Sequence, residues 1–251
     1  MESLHSAHHR RIGRRKPKPL CFSFGERCLL CGDLIYRWGW PPYPLCLDCD
    51  LKARSTRIDF FNDVRRCRVC SLPLISEDGI CTRCRDKSFC FLSNHSLFRY
   101  EGETRELIYR YKFKGRKSLA YYYSDIVAEA YMRSYKGFIV VPVPFRPSSR
   151  RKRGWDQVQR IVDIINCKYG IPARKLLLRK GGAPQKALDY DGRSKNLHGR
   201  IHVRSPDGVE LPQKLLLLDD VFTTGATADE CSRVLKTRGV DIVKVLTLAL
   251  D

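Results

Sequence analysis

The sequence predicts an α/β fold, a doubly wound parallel sheet preceded by a small cysteine-rich, metal-binding unit. Three observations carry that expectation. From residue 96 onward, apolar runs of strand length alternate with segments whose apolar residues recur every three or four positions. One run, "LLLL" at Leu215–Leu218, is continuous, as in strands buried on both faces. Upstream, eight of the twelve cysteines stand in four Cys-x-x-Cys pairs, a spacing that serves metal ligation.

Residues 1–20, "MESLHSAHHRRIGRRKPKPL", are basic and hold no apolar core. They read as a disordered tail rather than a secretory leader, either simply solvated or touching phosphates or acidic lipid. Every apolar run falls short of the roughly 20 residues that span a bilayer, so no transmembrane segment is expected. A chain without a leader is expected in the cytoplasm, where thiols stay reduced and metal ligation is favoured over disulfides.

Residues 21–95 form the cysteine-rich unit, built as an approximate internal repeat. "CLLCGDLIYRWGWPPYPLCLDC" runs from Cys28 to Cys49, and "CRVCSLPLISEDGICTRC" from Cys67 to Cys84. Two thiolates separated by two residues reach one ion from a tight turn, and two such pairs supply the four tetrahedral ligands of zinc. One set is Cys28, Cys31, Cys46 and Cys49; the other is Cys67, Cys70, Cys81 and Cys84. All-thiolate ligation leaves no open position, so both sites read as structural, a double zinc ribbon. Each unit is too poor in large apolar residues to bury its own core, and bound metal supplies about 10 kcal/mol or more in such cases. Two alternatives stay open here: an iron–sulfur cluster, and a crossed arrangement in which the first pair shares an ion with the third. Trp38, Trp40 and Tyr43 suit either base stacking or the ribbon's own small core. Cys21 and Cys90 have no assigned role, and Cys167 and Cys231 read as buried thiols within helices.

Residues 96–251 form the α/β region. "RELIYRYKF" and "SLAYYYSDIVAEAYMRSY" read as helices and "FIVVPVP" as a short buried strand. "WDQVQRIVDIINCKYG" sets Val158, Ile161, Val162 and Ile165 on one helical face and stops at Gly170. "LLLLDD" is a strand, "GATADECSRVLKTRGV" a helix ending near Gly239, and "DIVKVLTLAL" a final strand. Strands alternating with helices imply a parallel sheet.

The formal net charge of +20 favours an anionic partner, with nucleic acid the leading candidate and a solvated basic surface the plainer reading. The sharpest local signal is "LLLLDDVFTTGAT". A strand of a parallel sheet delivers its last side chains into the crevice at the sheet's carboxyl edge. There Asp219 and Asp220 would accept hydrogen bonds from ligand hydroxyls or face a magnesium ion. Thr223, Thr224, Gly225, Ala226 and Thr227 form a turn that runs into a helix, where backbone amides, threonine hydroxyls and the helix dipole cradle a phosphate. Diol recognition beside phosphate recognition describes a ribose 5-phosphate.

This motif resembles the 5-phosphoribosyl 1-diphosphate (PRPP) binding motif of type I phosphoribosyltransferases. From Cys28 onward the chain is similar to the ComF family of bacterial competence-related proteins, in its paired cysteines and in "YKFKGRKSLA", "VPVPFRPSSRRKRGWDQ", "QKALDYDGRSKNL" and "VLTLA". The resemblance implies a type I phosphoribosyltransferase sheet behind a double zinc ribbon. It implies that Asp219 and Asp220 hold the ribose 2- and 3-hydroxyls and that Thr223–Thr227 hold the 5-phosphate. Arg146, in the turn of Pro144 and Phe145, would face the pyrophosphate, with Arg153 and Lys112 adding positive charge. Gly181–Asn196 would be a mobile hood carrying Gln185 and Arg193. Arg150, Arg151 and Lys152 read as surface charge or nucleic-acid contacts.

The sequence departs from the family in two places: Asp156 stands where the family has Asn, and Gly182 where it has Thr. An acid there would repel pyrophosphate unless it orients Arg153 or points at magnesium. Thr223 occupies the place of the acidic general base of purine-salvage relatives, and threonine cannot serve as that base near neutral pH. Transfer, if present, would displace pyrophosphate from C1 of magnesium-bound PRPP towards an unknown acceptor. The alternative is a zinc-ribbon factor that binds PRPP without turnover beside single- or double-stranded DNA and proteins of the competence machinery. A glutamine-dependent amidotransferase is not expected, because the chain begins "MESLH" and not with a catalytic cysteine.

Overall fold

The computed structural model describes residues 27–35, 44–58, 64–147, 154–181, 197–204 and 208–251; the basic tail, Cys21, Trp38, Trp40 and Tyr43 lie outside them. Helices α1 (Leu47–Ser55) and α2 (Thr82–Arg85) each start directly after the first cysteine of a pair, Cys46 and Cys81. Then come β1 (Asn94–Arg99), α3 (Gly102–Phe113), α4 (Leu119–Ser134) and β2 (Ile139–Pro142). They are followed by α5 (Gln157–Tyr169), β3 (Leu177–Arg179), β4 (Ile201–Val203), β5 (Lys214–Phe222), α6 (Ala226–Lys236) and β6 (Ile242–Leu250).

The central sheet is parallel throughout, in the order β1-β6-β5-β2. Leu215 to Leu218 of β5 are at most 1% exposed, as their unbroken run predicts. Their side chains alternate between two cores. Leu216 and Leu218 join Val140, Leu246 and Leu248 under α4 and α5, where Ile126, Val158, Ile161 and Ile165 are buried. Leu215 and Leu217 join Val141, Val243 and Val245 under α6, against Cys231 and Leu235. Helices therefore cover both faces, which is the doubly wound arrangement expected. The turn that ends α5 is made by Gly170 at φ 67°, a left-handed conformation that glycine adopts without strain. β3 and β4 form a separate antiparallel pair.

The chain leaves β2 towards α5 on one face and leaves β5 towards α6 on the other. β2 and β5 are neighbours, so their carboxyl ends part and open a crevice between them.

Both cysteine units are built into the cores. Each has the same local plan, an isolated antiparallel bridge across its first turn (Arg27 with Leu34, Arg66 with Pro73), which is the repeat read from the sequence. Cys28 and Cys49 pack with α3 and α4 on one face. Cys67, Cys70, Cys81 and Cys84 pack on the other. The segment between the units lies antiparallel along the edge strand β1, with Ile58 N donating to Leu97 O at 2.9 Å and Arg99 N to Thr56 O at 3.0 Å. Asn94 ties β1 to the second unit through Nδ2 to Cys70 O at 3.1 Å. Arg57, fully buried, is neutralised by Glu129 Oε2 at 3.0 Å; a buried guanidinium without a counter-ion would be costly.

Candidate functional site

Two helices converge on the tip of β5. Asp220 accepts from Lys112 Nζ of α3 at 2.8 Å on one oxygen and from Gln157 Nε2 of α5 at 2.9 Å on the other. Gln157 is fixed in turn by its carbonyl, which accepts from buried Tyr111 Oη at 2.8 Å. Asp219 uses one oxygen to accept the backbone N–H of Asp220 at 2.8 Å. The two carboxyls are driven apart electrostatically. Burial, reinforced by the charge of Asp220 beside it, pushes Asp219 up to about 7. Burial acts upward on Asp220 as well, but the Lys112 ammonium outweighs it and holds Asp220 below the usual carboxylate range. Asp220 is thus the anchored acid, and Asp219 is poised to change charge when a partner arrives.

Beyond the acids, the chain turns through Thr223 and Thr224 into α6. Gly225 is the N-cap at φ 83° and offers no side chain to the first amides of the helix. Its conformation and surroundings both demand glycine: an added Cβ would meet Phe222 Cζ at 2.9 Å and Phe89 Cε1 at 3.1 Å. Gly225→Ala is therefore expected to lower stability by about 1–3 kcal/mol, read from a denaturant melt. Asp219 to Ala228, Arg146 and Thr247 line a cavity of about 310 Å³ in the crevice between β2 and β5. Amides at a helix start, threonine hydroxyls and a guanidinium give one end of this cavity the donors an anion needs. Arg179 of β3 feels the charges of two residues that line it: burial and then the Arg146 charge lower its guanidinium to about 10, while Asp219 acts upward.

The eight paired cysteines gather as two groups of four, Cys28 with Cys31, Cys46 and Cys49, and Cys67 with Cys70, Cys81 and Cys84, each with sulfurs within 4.8 Å of one another. The crossed pairing of the first and third pairs is thereby replaced by the sequential one. Cys31 Sγ lies 3.7 Å from Cys46 Sγ, and Cys70 Sγ lies 3.6 Å from Cys81 Sγ. Four sulfurs about 2.3 Å from a tetrahedral zinc stand about 3.8 Å apart, so the groups are compatible with zinc. Cys31 is exposed, whereas the second group is wholly buried.

No protein-family model matches the chain. Among curated proteins, it is 28% identical over 209 residues to Competence protein ComFC of Streptococcus pneumoniae, covering 81% of this chain and 86% of that one. It is 23% identical over 229 residues to Competence protein ComFC of Bacillus subtilis, covering 84% and 89%. DNA utilization protein YhgH of Escherichia coli K12 is 25% identical over 213 residues, covering 80% and 88%. These relatives support the ComF-family resemblance.

The parallel sheet, covered by helices on both faces and split by a divergent crevice, is a doubly wound α/β fold. A solved hypoxanthine phosphoribosyltransferase of Staphylococcus aureus overlaps it loosely, at 14% identity and a TM-score of 0.34, over 54% of this chain and 65% of that enzyme, just under two thirds. Asp219, Asp220, Arg146 and Thr223 to Thr227 meet in the cavity. Lys112 reaches the site by a different route from the pyrophosphate contact implied by the resemblance: its ammonium sits on Asp220. Arg153, Gln185, Arg193, Gly182 and most of the hood lie outside the described residues.

Two expectations need correction. Asp156 is the N-cap of α5, its Oδ1 accepting from Gln159 N at 3.0 Å, so the carboxylate completes a helix end. Asparagine caps as well as aspartate does, so the capping role does not itself require the acid. Cys167 is exposed on the last turn of α5, not buried; Cys231 is buried as expected. Arg179 and Gln157 were missed from the sequence. Gln157 carries a faint signal as the first residue after a capping acid, but nothing local marks Arg179.

Proposed function

We propose that the crevice between β2 and β5 binds magnesium–PRPP, and that the protein does so beside nucleic acid in DNA uptake or utilisation. The observation that supports this best is the cavity itself. A carboxylate pair, an amide-rich helix start and Arg146 share one space suited to a phosphorylated sugar diol. Asp219 and Asp220 take the ribose hydroxyls, the 223–227 turn takes the 5-phosphate, and Arg146 and Arg179 face the pyrophosphate with magnesium. Arg153, Gln185 and Arg193 are assigned to the same ligand from the family motif. Zinc in the two four-cysteine groups fixes the 21–95 ribbon onto the 96–251 domain. The competence and DNA-utilisation names of the relatives, with the +20 charge, support a cytoplasmic role beside DNA and its uptake machinery.

The pocket favours binding over turnover. Among the described residues lining it, the only acids are Asp219 and Asp220, both assigned to hold the sugar. An acceptor for the phosphoribosyl group would have to bring its own base.

The test is calorimetric titration of magnesium–PRPP into the zinc-loaded protein. One-to-one binding is expected, and a flat titration would overturn the reading. The pH dependence sharpens it. A sugar hydroxyl needs Asp219 as carboxylate, and the folded carboxyl titrates at about 7. Affinity should therefore rise about tenfold from pH 6 to pH 8, with proton release on binding at pH 6. Asp219→Asn should remove that proton release, which separates it from titration of the ligand.

A further inference from the structure

We infer that the C-terminal end of α3, together with Trp155, is a docking surface for single-stranded nucleic acid. The inference rests on the reading that this protein works beside nucleic acid, and it names the surface and the form of the strand.

Tyr109 and Phe113 stand one helical turn apart, 41% and 56% exposed, with ring centroids 5.3 Å from each other. Lys114 Nζ sits 5.7 Å from the Tyr109 centroid. Trp155 is half-buried: Lys117 Nζ is 5.9 Å from its centroid, and the ring rests edge-on against buried Tyr111 at 4.9 Å. Arg116, between Lys114 and Lys117 in the chain, is exposed. The stretch Leu107–Ser118 contains five cations and no acid. Two of the five are engaged elsewhere, Arg110 by Glu106 and Lys112 by Asp220. Lys114, Arg116 and Lys117 remain on the surface.

The dipole of α3 explains cations at its end, because they complement its negative pole. It does not explain a pair of large exposed rings. Rings flanked by cations are the recurring device for holding single strands: bases stack on the rings while phosphates meet the charges. A duplex keeps its base faces stacked inside and offers them to no surface ring. The same helix sends Lys112 to Asp220, so the surface and the sugar-phosphate crevice share one rigid element.

The experiment measures binding of a fluorescein-labelled 20-nucleotide oligothymidylate to the full zinc-loaded chain by anisotropy across a salt series. Tyr109→Ala/Phe113→Ala should weaken binding at least tenfold, since each stacked base is worth roughly 1–3 kcal/mol. Tyr109→Phe should bind like wild type. Arg116→Ala/Lys117→Ala should reduce the slope of log affinity against log salt by about 1.4. Both variants alter exposed side chains, so melting temperature and zinc content should match wild type and keep loss of fold apart from loss of binding. If wild type fails to bind the strand, the nucleic-acid reading falls and this inference with it. If wild type binds and the alanine pair binds equally well, this surface is wrong while the wider reading stands. If the pair loses binding to vesicles of anionic phospholipid but keeps the oligonucleotide, the surface faces a membrane and the inference is overturned.

Discussion

Cys81→Ser is expected to unfold much of the protein, not only its cysteine-rich part. Cys81 is fully buried within the second four-sulfur group, and that group packs in the same core as Leu215, Leu217, Val243 and Val245 of the sheet. Structural zinc supplies about 10 kcal/mol or more to a small unit. That is comparable to the roughly 5–15 kcal/mol by which a whole domain is stable. Bound zinc should fall from two ions to one per chain, and the thermal transition should broaden and move sharply down. Cys31→Ser provides the contrast. Cys31 is exposed, so water can stand in for its sulfur and the first group should become labile while the fold persists. A Cys81→Ser chain that melts with wild type would show that the second group carries no structural weight.

Asp219→Asn/Asp220→Asn should weaken magnesium–PRPP binding at least tenfold, about 1.4 kcal/mol or more. The single variants should behave differently. Asp220→Asn leaves the Lys112 ammonium, whose side chain is 15% exposed, without its carboxylate, and should destabilise the free protein. Asp219→Asn removes a charge that burial disfavours. The sign follows from the raised carboxyl: folded Asp219 holds its proton to about pH 7, so the stability it contributes is present at low pH and lost as pH rises through 7. Asp219→Asn should therefore stabilise the free protein most at pH 8 and less at pH 5, since the loss begins where the unfolded carboxyl ionises near 3.8, and it should weaken the ligand chiefly at pH 8. Paired melts at the two pH values, alongside calorimetry, check this. Identical melting behaviour of the two single variants would contradict the division of labour between the acids.

Much of this architecture is legible in the residues because it rests on local chemistry. The run Leu215–Leu218 can only be a strand covered on both faces, and the Cys-x-x-Cys pairs can hardly serve anything but a metal. What escaped detection is polar or distant. β1, "NHSLFR", does not read as a strand because two of its inward positions are Asn94 and Ser96. Their burial is made tolerable by hydrogen bonds, Asn94 Nδ2 to Ser96 Oγ at 2.9 Å and Ser96 Oγ with Thr247 Oγ1 at 2.7 Å. α1 buries Cys49, Asp50 and Ala53 and so lacks an apolar stripe. The pairing of Lys112 with Asp220 joins residues more than a hundred positions apart, and no local pattern encodes it. The helix cap at Asp156, by contrast, was readable: an acid directly before an amphipathic run is a standard start signal.

The pairing of β1 with β6 has a consequence for synthesis. β6 lies between β1 and β5, yet it is made after every other strand. A chain still emerging from the ribosome can gather its two four-cysteine groups and clamp one edge of β1, but the opposite edge has no neighbour until residues 242–250 arrive. Unpaired edges invite association between chains. Assembly is therefore gated by its last segment, and a product truncated before Ile242 would present a cysteine-rich head with an open seam where the sheet should close.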